Sequence, residues 1–342
     1  MPTSSMQFKQ KAWLLTALLL AANGAHASEL VVGTTTLDLK DATRGRSVVT
    51  ELWFEAAPGT AAESFTPLPP LQALALATSA KPAASSGRKP LIVLSHGNWA
   101  TRYAYAWLAT ALVKAGYLVL SPTHPGTMFG DLQAVYRARL WERSLDVSFA
   151  LDQVLADPAW RERIDEQRIG FIGHSFGGWT GVSLAGGRYS YDQQLQTCRD
   201  QASKDQYCTG LIADFDPATP VADGTRSFKD DRFKAFYLMA SGPAAGFDDA
   251  SLQAIQLPML FDTAKADPVL APGIGSTLLA QRIASASETL RDVGHFSYAP
   301  LCKPFVGRLL AGQVCEDPSG VNRADVHARI AADALRFFKA RL

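Results

Sequence analysis

Residues Arg168–Gly178 read RIGFIGHSFGG. Arg168–Gly173 is a short apolar run, which predicts a strand covered on both faces. Phe176–Ala185 predicts the helix that follows it. Between them, Gly173-His174-Ser175-Phe176-Gly177 has the form G-x-S-x-G. At a strand-to-helix turn this spacing lifts a serine hydroxyl above the carboxyl edge of a sheet. The flanking positions are too crowded for side chains, and the helix N-terminus below the serine favours a developing oxyanion. A Gly-rich turn with an incidental serine is the rival reading of the pentapeptide alone. Its strand–helix setting and the partners described below favour Ser175 as a nucleophile.

The same alternation extends on either side. Leu91–Ser95, Tyr117–Ser121, Phe233–Ala240 and Met259–Ala264 read as buried strands, and Glu288–Asp292 as a shorter one. Tyr103–Ala115, Leu140–Leu155, Leu278–Ser285 and Asp325–Arg341 read as helices. Gly116 is placed to end the first of these, and Asp157-Pro158 the second. Repeated strand–helix alternation predicts an α/β fold, a mostly parallel sheet with helices on both faces. Leu30–Glu55 is rich in Val and Thr and breaks at Thr43-Arg44-Gly45-Arg46, which predicts an antiparallel pair at the sheet edge. Residues 57–90 are rich in Pro, Ala, Ser and Gly. They predict a long surface connection with at most one helical turn near Leu71–Ala77. No internal repeat is visible.

With 342 residues, 47% hydrophobic and 19% charged, the chain has ample material for a core. Thirty-three basic residues against 32 acidic ones argue against nucleic acid as a partner. Residues 1–27 predict a signal peptide. Lys9 and Lys11 precede the apolar run Ala12–Ala22, which is shorter than the roughly 20 residues of a membrane span. Ala25-His26-Ala27 supplies the cleavage pattern, so the mature chain would start at Ser28. An uncleaved anchor is the alternative. Residues 28–342 are expected to form one domain with no later membrane span, exported to the periplasm or beyond. In an oxidising compartment Cys198 with Cys208, and Cys302 with Cys315, are the simplest of three pairings. Neither pair has C-x-x-C spacing or a nearby histidine pair, which argues against zinc.

A serine hydroxyl needs a base to take its proton. In α/β enzymes with this turn the chain order is Ser, acid, His. Of six histidines, His26 leaves with the signal, while His96, His124 and His174 precede or adjoin Ser175. His327 falls on the last helix. His295, in Gly294-His295-Phe296-Ser297, lies in a loop after a late strand and is the candidate base. Asp267 lies in the turn beyond Met259–Ala264 and is the preferred acid. Asp262 lies within that strand, and Asp214 and Asp216 are weaker candidates. For the oxyanion, the backbone N–H groups of Phe176 and Asn98 are the candidate donors, Asn98 sitting in Ser95-His96-Gly97-Asn98-Trp99. Trp99, Tyr103, Tyr105, His124 and Phe129 are candidates to line a substrate pocket, with core packing as the rival reading. Gly187–Ala213, which holds the first cysteine pair, reads as a small lid or a surface excursion. The chemistry calls for no cofactor and no metal.

These residues carry a resemblance. The chain resembles the α/β-hydrolases of the dienelactone-hydrolase-like group and, within them, is similar to the platelet-activating-factor acetylhydrolases. The matching pieces are Asp41–Arg46 (DATRGR), Glu51–Phe54 (ELWF), Leu94–Gly97 (LSHG), Gly173–Gly178 (GHSFGG), Ala266–Pro268 (ADP) and Gly294–Ser297 (GHFS), in the order the family has them. Dienelactone hydrolases use cysteine where Ser175 stands, so the resemblance implies a serine esterase. Its substrate would be a lipid, short-acyl or polyester ester. No exposed amphipathic docking helix is evident to support action on phospholipid. A serine peptidase or amidase would carry the same triad, but no extra domain for screening peptides is evident. A non-catalytic binding protein on a hydrolase scaffold would lack a triad member, and none is missing.

Overall fold

In a computed structural model the apolar runs become the middle of a ten-stranded sheet. It describes Met1 and residues 30–84, 87–200, 206–218 and 221–342. The expected signal peptide lies outside the described residues. The strands are β1 (Val32–Asp41), β2 (Arg46–Glu55), β3 (Glu63–Phe65), β4 (Leu74–Thr78), β5 (Lys89–Ser95), β6 (Leu118–Pro122), β7 (Thr127–Met128), β8 (Asp131–Leu132), β9 (Ile164–His174), β10 (Phe233–Met239), β11 (Met259–Ala264) and β12 (Ala286–Arg291). Their order in the main sheet is β12-β11-β10-β9-β5-β6-β2-β1-β4-β3, with β7 and β8 paired apart. The six strands from β12 to β6 run parallel. β2 joins β6 antiparallel and β1 joins β2 antiparallel.

The helices are α1 (Ala106–Lys114), α2 (Val135–Ala138), α3 (Trp141–Ala156), α4 (Pro158–Arg161), α5 (Phe176–Leu184), α6 (Tyr191–Asp200), α7 (Gln206–Ala213), α8 (Asp249–Gln253), α9 (Ser276–Arg282), α10 (Val306–Ala311) and α11 (Arg323–Lys339). Side chains of α1 and α11, among them Leu108, Leu112, Ile330 and Phe338, share one buried cluster with Ile92, Val119 and Ile172 of the sheet. Those of α3, α5 and α9, among them Val147, Leu151, Val182 and Leu279, share another with Leu91, Leu120 and Phe171. The alternating membership of Leu91, Ile92 and Val93 follows from the two-residue period of a strand. Burying both faces is why these strands read as unbroken apolar runs.

Two expectations are corrected. Residues 57–90 are more than a surface connection, and no helical turn forms at Leu71–Ala77. Leu74–Thr78 is β4, which pairs parallel with β1, and Glu63–Phe65 is β3, which pairs antiparallel with β4. The N-terminal pair β1–β2 therefore lies inside the sheet, and β3 forms its edge. Weak strand formers hid this segment. Only Leu76 and Ala77 of its strands are buried, and its one apolar run, Ala73–Ala77, is built of the strong helix formers Ala and Leu, so it reads as a helical turn. Among the described residues no helix is long and apolar enough to cross a membrane.

Candidate active site

Parallel strands deliver their carboxyl ends to one edge, and the chemistry-bearing loops follow those ends. Ser175 follows β9 directly and has φ +55°, ψ −119°, the strained backbone of a sharp strand-to-helix turn. Its N–H donates to the Met239 carbonyl at the end of β10, 3.0 Å away. The glycines are required by crowding. A Cβ at Gly173 would strike the backbone of Gly177, and one at Gly177 would strike the carbonyl of Ser95.

Asp267 lies in the turn after β11. Its Oδ1 accepts the N–H groups of Val269 and Leu270, both at 2.8 Å. Its Oδ2 accepts from Nδ1 of His295 at 2.6 Å. Both side chains are buried, at 2% and 3% exposure. With Nδ1 donating to a carboxylate, Nε2 of His295 is the lone-pair nitrogen. No hydrogen bond from a described residue occupies it. The His295 turn is tied to the serine turn by His174, whose Nε2 donates to the His295 carbonyl at 3.0 Å. The two rings lie 4.7 Å apart. Burial and the neighbouring His295 hold the His174 imidazole well below its usual pKa, so it is neutral. On the far side the turn is braced by Gly294 N–H to Ser297 Oγ, Ser297 to Asp317, and Asp317 to Arg323.

The other acids are engaged elsewhere. Asp262, fully buried on the sheet face, takes the Tyr237 hydroxyl, Arg291 Nε at 2.6 Å and the Tyr298 hydroxyl at 3.0 Å. Asp214 pairs with Arg137, and Asp216 caps its own turn at Ala218.

The loop Ser95–Trp99 lies against the nucleophile. A Cβ on Gly97 would stand 3.1 Å from Ser175 Cβ. His96 Nδ1 donates to the Gly97 carbonyl at 2.7 Å. A trans peptide points its C=O and N–H in opposite directions, so this bond also fixes the direction of the Asn98 N–H. Trp99, with φ +58°, spends its own N–H on the Thr127 carbonyl at 2.9 Å. Phe176 opens α5, so its N–H has no partner within the helix.

Of the residues read as pocket-lining, Trp99 and Phe129 stand in the solvent rim, 54% and 44% exposed, with ring centroids 6.0 Å apart. Two placements are corrected. Tyr103 turns away, donates to Glu51 at 2.8 Å and packs on Phe65. His124 is sealed in the interior between Ser95 Oγ at 2.9 Å and Asp146 at 3.2 Å. Tyr105 is buried against His174. A loop position does not say which way a side chain turns, and both corrected residues were engaged by partners far away in sequence.

His124 belongs to a buried network that sequence reading missed. Asp146 on α3 also receives Arg46 at 2.8 Å and Arg44 at 2.9 Å. One turn earlier on α3, Arg143 is fully buried. It donates to the His96 carbonyl, to Thr127 Oγ1 at 2.5 Å and to Thr180 Oγ1 at 3.2 Å. Burial lowers its pKa to about 9. It thus joins the Gly97 loop, the Thr127 loop and α5 from behind. The Arg-Gly-Arg segment was its one visible trace.

The cysteines are joined as Cys198–Cys208 and Cys302–Cys315. The first clasps α6 to α7. Tyr207 of α7 sets its ring 6.0 Å from Phe176 and donates its N–H to Val269, beside the acid's turn.

No family model matches the chain, and no curated protein does. Among solved structures it is similar to a ferulic acid esterase from Streptomyces cinnamoneus, with 19% identity and a TM-score of 0.61 over 93% of this chain and 92% of that one. So low an identity over so full a coverage is a likeness of fold. The chain has the mostly parallel, helix-flanked architecture of the α/β-hydrolases.

Proposed function

We propose that the protein is an exported serine hydrolase of carboxylic esters. Ser175 Oγ attacks the ester carbonyl carbon while His295 Nε2 takes its proton. Asp267 holds the imidazole in the tautomer that can do this and stabilises the cation that forms. The tetrahedral oxyanion is held by the N–H groups of Phe176 and Asn98, each such donor contributing about 3–4 kcal/mol to barrier lowering. Collapse expels the alcohol, which takes the proton from His295 and leaves an acyl group on Ser175. Water, activated by the same histidine, then releases the acid. The observation that carries this reading is the 2.6 Å His295–Asp267 bond, on a turn that His174 ties to the positive-φ Ser175.

The pieces shared with dienelactone-hydrolase-like enzymes, and serine in place of their cysteine, favour an esterase over a lactone hydrolase. The esterase neighbour of like fold favours ester over amide substrates. The α6–α7 unit, touching Phe176 and Val269, is a fixed cap over the site in this reading. Labelling with a serine-reactive phosphonate tests it. One residue, Ser175, should be modified, and ester hydrolysis should vanish with it. Full hydrolysis by Ser175→Ala would sink the proposal.

A second reading, lipid esters at an interface, rests on one observation that departs from the sequence expectation. α10 and its cap expose Phe305, Val306, Leu309 and Leu310, at 39–80% exposure. Sequence reading found no such face, because six residues are too few for a periodic pattern. Preference for phospholipid vesicles over soluble short-chain esters would favour this reading.

A further inference from the structure

A cavity of about 210 Å³ adjoins the Gly97 loop, lined by Asn98, Gly126, Leu132, Gln133, Arg137 and Asp214. We propose that it receives the acyl group of the ester and selects acyl groups carrying a hydroxyl close to the carbonyl, as in 2- or 3-hydroxyacyl esters. This rests on the serine-esterase reading above and specifies its substrate class.

The first ground is an unmet acceptor. Oδ1 of Asn98 is buried and receives no hydrogen bond. A buried polar atom without a partner costs about 1–3 kcal/mol, so such atoms are rare and ask for an explanation. The charged groups and one amide nitrogen at the cavity are already engaged. Arg137 and Asp214 pair at 2.6 Å, and Gln133 Nε2 donates to Asp131 at 2.8 Å. The group that fits is therefore a hydrogen-bond donor brought by the ligand.

The second ground is direction. His295 must protonate the leaving oxygen, so the alcohol half of the ester lies on the His295 side. No residue of the His295 turn lines the cavity, and Asn98, of the oxyanion side, does, so the acyl half is the one assigned to it. The third ground is reach. The unmet oxygen belongs to the residue whose N–H is assigned to the oxyanion, and an asparagine side chain is short. A hydroxyl must therefore lie near the carbonyl carbon to meet it. Room is sufficient, since a cavity of about 150 Å³ holds a benzene ring. Leu132 supplies an apolar wall, and the Arg137–Asp214 pair closes the α7 side.

The test compares kcat/KM for ethyl 3-hydroxybutanoate with ethyl butanoate, and for ethyl lactate with ethyl propanoate. The wild-type chain should prefer the hydroxylated member of at least one pair by about tenfold, the size of a satisfied buried acceptor. In Asn98→Leu that ratio should fall to about one, however the absolute rates move. Asn98→Asp, which keeps an acceptor, should retain a preference. Ratios near one for both pairs in the wild type, or a preference undiminished in Asn98→Leu, would overturn the inference while leaving the esterase reading intact. No hydrolysis of any of the four esters would overturn both.

Discussion

Two aspartates five residues apart separate by what surrounds them. Asp267 offers one oxygen to two backbone N–H groups and the other to His295. Its neutral isostere would still fill the space but would favour the wrong imidazole tautomer. Asp267→Asn should therefore lower kcat by roughly 10³–10⁴-fold with little change in stability. Asp262 has no free oxygen to give, since Arg291, Tyr237 and Tyr298 share it. Asp262→Asn should act on the urea midpoint far more than on kcat, because it leaves Arg291 short of a buried charge. Kinetics and denaturation of the two variants side by side decide the matter, and the opposite ranking would reassign the acid. Asp146 likewise takes two arginines and His124 at a fully buried carboxylate. Removing one partner of such a cluster leaves the others uncompensated. Asp146→Asn should cost about 3–5 kcal/mol of stability, read from urea unfolding. An unchanged midpoint would mean the network contributes nothing.

Among the elements, the segment from the His295 turn through α10 is anchored by buried Tyr298 and by several fixed ties. Ser297, Asp317 and Arg323 form one, and the Cys302–Cys315 bridge another. A loop of this length is worth about 3 kcal/mol in the chain-entropy model. The bridge begins seven residues after the candidate base, so Cys302→Ser with Cys315→Ser should lower kcat several-fold at a temperature where circular dichroism still reports a folded chain. Loss of fold before loss of rate would show instead that the bridge holds the whole domain. Elements like this differ in how far sequence discloses them. β5, β6, β9, β10 and β11 were legible because burial on both faces leaves an apolar run. β3 and β4 were not, because β3 has only three residues and β4 is Leu-Ala-Leu-Ala-Thr, built mostly of strong helix formers. Ser175, His295 and Asp267 could be singled out because a turn motif and chain order confine them to particular strand ends. Arg143 and Asp146 could not. On a helix with one apolar stripe, charged residues read as the solvated face, and only three-dimensional packing shows them turned inward beneath loops at the active edge. His174 was quoted as part of the motif, yet its tie to the His295 carbonyl depends on a contact 121 residues away.

Across the whole molecule, the parallel sheet gathers imidazoles where its loops converge. His96, His124 and His174 are buried near the carboxyl edge, and His327 beneath the His295 turn, bonded to the Ala299 carbonyl. Burial comes first in lowering all four pKa values. At His96 the neighbouring His124, which would repel a second proton, and the Arg143 charge add to it; at His124 the Arg143 charge does, and at His327 the Arg323 charge. His327 falls to about 4. An unfolded histidine titrates near 6.5. Between these limits the unfolded chain binds protons that the folded chain refuses, so stability rises with pH across the window and falls as pH drops below about 6.5. For His327 alone the loss approaches about 3 kcal/mol by pH 4, since each tenfold difference in proton affinity between the folded and unfolded chain is worth about 1.4 kcal/mol. Asp41 works in a lower window. Burial would raise its pKa, but hydrogen bonds from Thr43 and Arg44 outweigh this and hold it at about 2. Its contribution is whole above pH 4 and is lost only as pH falls through 2, so it leaves the histidine window untouched. Urea midpoints measured from pH 7.5 to 5 should therefore decline steadily. His327→Gln, which keeps a donor for the Ala299 carbonyl but cannot titrate, should decline less. A midpoint that stays level or rises toward pH 5 would mean that the buried histidines gain their protons without opposing the fold.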